Sequence, residues 1–264
     1  MAAPSFAEVV DILHEIAPLE LAAEWDNVGV LLQPHRRARP VARVLLAIDL
    51  TEAVVAEAIA TRADLVVAYH PPIFQGLKSL SAADSRQRSL LRLATAGVAV
   101  HSPHTALDAA PGGLADWLVE RLLGGEAPEE VRPCGDGEFG RVATAATFIP
   151  FRSLVQRCKR TFGVRWLQVA RPARAAARVR TIAVAAGAGG AVLRGVAADV
   201  FVTGELSHHD TLAAVAAGAS VVLAGHANTE RGFLPVLRAR LLRAFGKDLA
   251  VRVARSDRDP LAVV

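Results

Sequence analysis

Six of the eight histidines in this 264-residue chain follow apolar runs that read as buried strands. His70 comes directly after "DLVVAY", and two prolines then forbid the strand to continue. His104 and Asp108 lie in "HSPHTALD", Glu205, His208 and His209 in "GELSHHD", and His226 and Glu230 in "GHANTERG". HxxxD and HxxxE set the second group one helical turn, or one strand-to-helix corner, from the first. Each spacing is common by itself; placed after successive strands, they converge on metal binding. Imidazole with carboxylate suits zinc, iron, manganese, cobalt or nickel, and the lack of thiolates argues against a closed structural zinc site. His70, His104, Asp108, His226 and Glu230 exceed what one four-coordinate ion needs. Two divalent ions sharing a carboxylate is the economical reading, and that arrangement activates water for hydrolysis. Glu205, His208 and His209 are candidates for proton transfer or for orienting a ligand.

Other features carry less. Cys134 and Cys158 are far from CxxC spacing, so neither a disulfide framework nor a thiol redox motif is supported. "AAGAGG" at 185–190 lacks the third glycine of a dinucleotide fingerprint and the Lys–Ser/Thr of a P-loop, and reads as a tight turn. "EWDNVG" at 24–29 reads as a turn pinned by an aromatic. The net charge of +4 rests on scattered arginines, with clusters only at 35–39 ("HRRAR") and 171–180. No aromatic stacking platform accompanies either cluster, which argues against direct nucleic-acid binding. No apolar run reaches membrane-spanning length and the start lacks a secretory signal, so a cytoplasmic protein, with access to the nucleus, is expected.

These residues must be held by strands and helices in alternation. "VARVLLAID", "DLVVAYH" and "VAVHS" read as buried strands, separated by helices that Thr51 caps and Gly97 closes. Uninterrupted Val/Leu/Ile strands between helices imply an α/β fold with a parallel or mixed sheet covered on both faces. Residues 124–140 are rich in Gly, Pro and acid. The expected organisation is therefore a first domain over 1–124, a linker at 125–140 and a second domain over 141–264. The second half repeats the strand–helix grammar of the first.

"EWDNVGVLL", "AIDLTEAVVAEAI", "DLVVAYHPPIF", "HSPHTALDAAPGG", "DVFVTGELSHHD" and "GHANTERGFL" together resemble the successive motifs of the NIF-three-like family, also labelled GTP cyclohydrolase I type 2 homologues. The resemblance covers most of 5–124 and 180–242. It implies two similar, intertwined three-layer α/β/α domains with mixed sheets, the C-terminal segment packing back on the first, and a dinuclear metal site in the cleft between them. It also implies dimers that build a hexameric ring. Carried over by position, the family's ligands fall on His70, His104, Asp108, His226 and Glu230. Tyr69 stands where many bacterial members have histidine, and resembles the eukaryotic form; a phenol is a poorer ligand at neutral pH. Two functions follow as expectations. One is a metal-dependent hydrolase acting on a nucleotide or similar small molecule, and the other is a non-enzymatic scaffold that binds a transcriptional co-regulator.

Overall fold

The structure, a computed structural model, describes residues 3–35 and 40–262; most of the basic cluster at 35–39 lies outside the described residues. The chain runs through α1 (Phe6–Ile16), β1 (Gly29–Leu32), β2 (Arg43–Ala47), α2 (Glu52–Ala60) and β3 (Leu65–Ala68). It continues through α3 (Ser85–Ala96), β4 (Ala99–Ser102), α4 (His104–Ala109) and α5 (Leu114–Leu123). Next come β5 (Pro128–Cys134), β6 (Gly140–Pro150), α6 (Phe151–Phe162), β7 (Gln168–Ala170) and β8 (Arg178–Ala188). The rest comprises α7 (Gly190–Leu193), β9 (Val200–Glu205), α8 (His208–Ala216), β10 (Ser220–Leu223), α9 (Asn228–Arg231), α10 (Leu234–Phe245) and β11 (Ala250–Val253).

Two units result, one from Met1–Leu107 and Phe233–Pro260, the other built on Asp108–Gly232. The first holds a mixed sheet in the order β1-β4-β3-β2-β11. Its four strands from β4 to β11 run parallel, and only β1 is antiparallel. Parallel strands buried on both faces need the continuous apolar runs seen here. Leu45, Ala47, Val66, Ala68 and Val100 point to one face, where Val54 and Val55 of α2 and Leu93 of α3 close over them. On the other face α1 packs against α10, and His14 of α1 meets His101 of β4. Thr51 caps α2 through its hydroxyl and Gly97 ends α3 at φ 75°, as their sequence positions require.

The second unit holds a sheet in the order β5-β6-β8-β9-β10-β7, in which β8, β9 and β10 are parallel. Leu118 and Leu122 of α5 and Leu154 and Cys158 of α6 cover one face through Ile182, Val184, Val200 and Val202. Leu193 of α7 and Ala214 of α8 cover the other through Ala183, Phe201 and Val221. Both units are thus three-layered.

The boundaries differ from the sequence expectation. Residues 125–140 are no linker: β5 pairs antiparallel with β6 from Pro128 to Cys134. Six of the seven β5 residues are exposed. An edge strand needs no apolar alternation on an open face, which is why Pro and acid stand there. The change of unit falls at Leu107/Asp108 instead of 124, because α5 packs on β6 and β8. β1, β6, β7 and β11 also went unanticipated; β7 has three residues, β11 has four, and much of β6 is Ala and Thr.

Candidate metal centre

In the first unit, the C-terminal ends of β2, β3 and β4 converge. Tyr69 N–H still donates to the Ala47 carbonyl and His70 N–H to that of Ile48, and Pro71 then ends the pairing. His70 is therefore fixed at a strand end. Its Nδ1 lies 2.9 Å from Asp49 Oδ1, just past β2. His104 starts α4 with φ 28°, a left-handed value that costs a non-glycine residue about 1–3 kcal/mol. Asp26 holds that conformation. Its carboxylate lies 2.8 Å from His104 Nδ1 and also accepts from Thr105 N–H and the Thr105 hydroxyl. The Asp26 side chain is wholly buried. Burial pushes its carboxyl up, but hydrogen bonds from His104 and Thr105, the charge of His104 and the Asn27 N–H together hold it below the usual carboxylate range.

The imidazoles of His70 and His104 stand 5.4 Å apart between ring centroids. Tyr69, buried, packs edge-on against both at 5.0 and 5.5 Å. A carboxylate on Nδ1 selects the tautomer that presents an Nε2 lone pair, the arrangement used by metal-ligating histidines. His101, from the same stretch, alternates to the opposite face of β4 and lies in the core beside His14.

The second unit repeats the device. His226 Nδ1 lies 2.9 Å from Glu205 Oε1 at the end of β9, and His226 Nε2 lies 3.3 Å from Oε1 of Glu230 on α9. Glu230 is only 2% exposed. The Thr229 hydroxyl donates to the His226 carbonyl and accepts from Gly187 N–H, which ties α9 to the end of β8. Gly187, at φ 57°, leaves space that no other residue would. A Cβ there would stand 2.7 Å from Glu230 Oε1 and 2.8 Å from His226 Nε2. So "AAGAGG" is no simple turn glycine run; its Gly187 makes room for two metal-type donors.

Asp108 is buried near the end of α4, the helix that starts with His104. Arg141 anchors that helix end, donating to the Ala109 carbonyl at 2.9 Å and to the Asp116 carboxylate at 2.5 Å. His208 and His209 are exposed at the start of α8, with ring centroids 5.4 Å apart. Their helix is capped by Ser207, and Asp210 is drawn to that cap.

Within each unit, then, His70 with His104 and His226 with Glu230 are brought together, and Glu205 is set behind His226. Asp26 and Asp49 escaped the sequence reading. Asp49 stood in plain sight as the acid closing "LLAID", one strand over from His70; Asp26 lies far from His104 in sequence and gave no local signal. The donors fit a divalent cation: imidazoles oriented by carboxylates, a buried carboxylate, and a glycine cradle beside two of the donors.

Residues 4–260 match the family described as Duf34/NIF3 (NGG1p interacting factor 3). The chain is 41% identical over 267 residues to "Protein NIF3 homolog" of Schizosaccharomyces pombe, covering 96% of each. It is 36% identical over 260 residues to "NGG1-interacting factor 3" of Saccharomyces cerevisiae, covering 90% of each. The fold is similar to the crystal structure of a Bacillus cereus protein related to NIF3, with a TM-score of 0.83 at 20% identity over all of both chains. It is likewise similar to reduced HcgD from Methanocaldococcus jannaschii, with a TM-score of 0.81 at 24% identity over 96% and 97% of the two chains. The match over residues 4–260 and the identity to these relatives show that the chain belongs to the Duf34/NIF3 family.

Proposed function

We propose that this protein is a metal-dependent hydrolase of a small molecule, with His70, His104, Asp108, His226 and Glu230 holding two divalent ions. One observation carries the reading: three imidazoles each have a carboxylate at Nδ1, with Asp49 behind His70, Asp26 behind His104 and Glu205 behind His226. A histidine serving only as a structural hydrogen-bond partner has no need of this repeated arrangement. When bound, divalent cations supply the Lewis acidity that makes water a nucleophile near neutral pH. The chain's own residues do the remaining work. Asp26, Asp49 and Glu205 hold the three rings in one tautomer, Tyr69 walls off the His70–His104 pair, and the assignment gives exposed His208 and His209 a part in orienting a ligand or in proton transfer.

Elemental analysis of the purified protein, with its solution mass, tests metal content and assembly into dimers or a hexameric ring together. About two ions per chain are expected, and alanine at His104 or Glu230 lowers the count. Metal-loaded protein incubated with nucleotides and phosphoesters gives a metal-dependent product. Turnover that persists in a metal-free His104→Ala/Glu230→Ala protein overturns the assignment.

A second reading is favoured by the name of the Saccharomyces cerevisiae relative, an NGG1-interacting factor. Here the chain is a scaffold for a transcriptional co-regulator in the cytoplasm or nucleus, and metal stabilises the fold. A silent substrate panel, with a partner that binds the ligand-site variants as tightly as the wild type, selects this reading.

A further inference from the structure

Trp25 is 60% exposed and Phe74 is 47% exposed, yet the two rings are not scattered surface residues. Their centroids lie 5.8 Å apart, within the range of interacting aromatic pairs. Each also meets the His104 imidazole at an interplanar angle of 74°, Trp25 at 6.1 Å and Phe74 at 6.3 Å. The backbone beneath them is pinned by partly buried polar contacts. Asp26 binds His104 and Thr105, and the Thr105 hydroxyl accepts from Ala23 N–H at 3.0 Å. The Asn27 amide donates to the Ile73 carbonyl at 2.5 Å, which locks the turn carrying Trp25 to the loop carrying Phe74. The "WDN" run thus has three jobs: Trp25 presents a face, Asp26 orients His104, and Asn27 holds Phe74 in place.

Rings held this firmly while left open to solvent are preorganised for something flat. Phe74 also lines a cavity of about 560 Å³ that includes His70 and His104, a volume suited to a small molecule. Arg86 and Arg258 line the same cavity. Its two carboxylates are already engaged, Asp49 with His70 and Glu52 with Arg88. The cavity therefore offers two guanidinium groups to an anion.

We propose that Trp25 and Phe74 form a stacking platform beside His104, and that the site takes a flat aromatic ring carrying an anionic group. This rests on the metal-centre reading for the chemistry performed there, and adds the class of molecule on which it is performed. Arg86 and Arg258 take the anion, and the ring lies against the exposed faces of Trp25 and Phe74.

The test uses two charge-matched pairs, guanosine 5′-monophosphate against ribose 5-phosphate and 2-naphthyl phosphate against cyclohexyl phosphate. Affinities are measured by calorimetry on the full chain, after chelator treatment and after manganese loading. In both pairs the aromatic member binds at least about 10-fold tighter. Trp25→Ala and Phe74→Ala shrink the gap to within about 2-fold, and Trp25→Phe retains most of it. Arg258→Ala weakens both members of a pair equally. Circular dichroism and metal content of Trp25→Ala match the wild type, since the ring is exposed and holds no metal. Equal affinities within both pairs, or a gap that survives in both alanine variants, overturn the platform. An aromatic preference that persists in protein unable to take up metal leaves the platform standing and removes the metal centre. Metal uptake without any aromatic preference does the reverse.

Discussion

Asp26 Oδ1 lies 2.8 Å from His104 Nδ1, across 78 positions of sequence. The same carboxylate accepts from Thr105 N–H at 3.2 Å, so one buried acid fixes both the ring and the strained turn that carries it. Removing its charge while keeping its shape separates those roles. Asp26→Asn retains an acceptor for Thr105 but loses the anion that makes His104 a better ligand. Metal affinity, measured by competition with a chromophoric chelator, falls about 10–100-fold, and the melting temperature drops by what the carboxylate's charge contributes to the fold. Unchanged affinity would show that His104 holds no cation.

Gly187 is the matching test in the second unit. Gly187→Ala meets two obstacles, a backbone at φ 57° and a Cβ within 2.8 Å of both Glu230 Oε1 and His226 Nε2. The backbone effect alone destabilises by about 1 kcal/mol. Displacing the two donors lowers metal uptake as well. Urea titration reads the first effect and elemental analysis the second. A variant that loses stability but keeps full metal content would separate Gly187 from the metal donors.

Arg141 tests what anchors the Asp108 end of α4. Its buried guanidinium bonds the Asp116 carboxylate and the carbonyls of Ala109, Glu138 and Gly140. Arg141→Met leaves these acceptors unsatisfied and costs about 3 kcal/mol in chemical denaturation. A loss below about 1 kcal/mol would show that water replaces the guanidinium without strain.

The inner parallel strands of both sheets were legible because parallel strands buried on both faces write themselves as runs of Val, Leu and Ile, as in "VLLA" and "LVVA"; β6, inner but antiparallel to both neighbours, was not. Helix ends were equally plain at Thr51 and Gly97, where local chemistry decides the geometry. Edge strands were not. β5 carries Pro and Glu because solvent covers its open face, so its composition is that of a loop. The metal-type donors could be gathered from strand ends, because the sheet brings such ends together. Their supporting acids split in two. Asp49 follows β2, the neighbour of the strand that leads to His70, and Glu205 ends β9, the neighbour of the strand that leads to His226, whereas Asp26 reaches His104 only through tertiary folding, and no local pattern announces such a contact. Trp25 looked like packing for a turn, but its exposed ring contributes little to any core.

Both thiols are buried, Cys158 among the α5 and α6 side chains and Cys134 at the end of β5. Burial pushes the Cys158 thiol up to about 12 and raises that of Cys134 as well, which suppresses the reactive thiolate. Native protein at pH 8 therefore resists iodoacetamide, whereas unfolded protein takes up two equivalents, one per cysteine. Prompt labelling of one thiol in the native state would mean that its part of the second unit opens locally.

His101 sets an acid limit on stability. It is fully buried on β4, and its ring nitrogens have no hydrogen-bond partner among the described residues. Burial first, and the charge of neighbouring His14 second, push its pKa down to about 3 from an ordinary 6.5. The unfolded chain takes up a proton as pH falls through about 6.5, and the folded chain does not until about 3. Stability is therefore unaffected above that window and drains away within it, at up to about 1.4 kcal/mol per pH unit. Asp26 and Glu57, whose carboxyls are held below their usual range, contribute stability that begins to be lost only as pH falls through their ordinary values of 3.8 and 4.5. Between pH 6.5 and 4.5 the acid loss thus has His101 as a separable source. His101→Phe keeps a ring of similar bulk in the core and removes the titrating group. Denaturation midpoints for this variant fall less steeply with acid than those of the wild type, by up to about 2.7 kcal/mol over the two units. Parallel curves for the two proteins would mean that His101 already carries its proton in the folded chain.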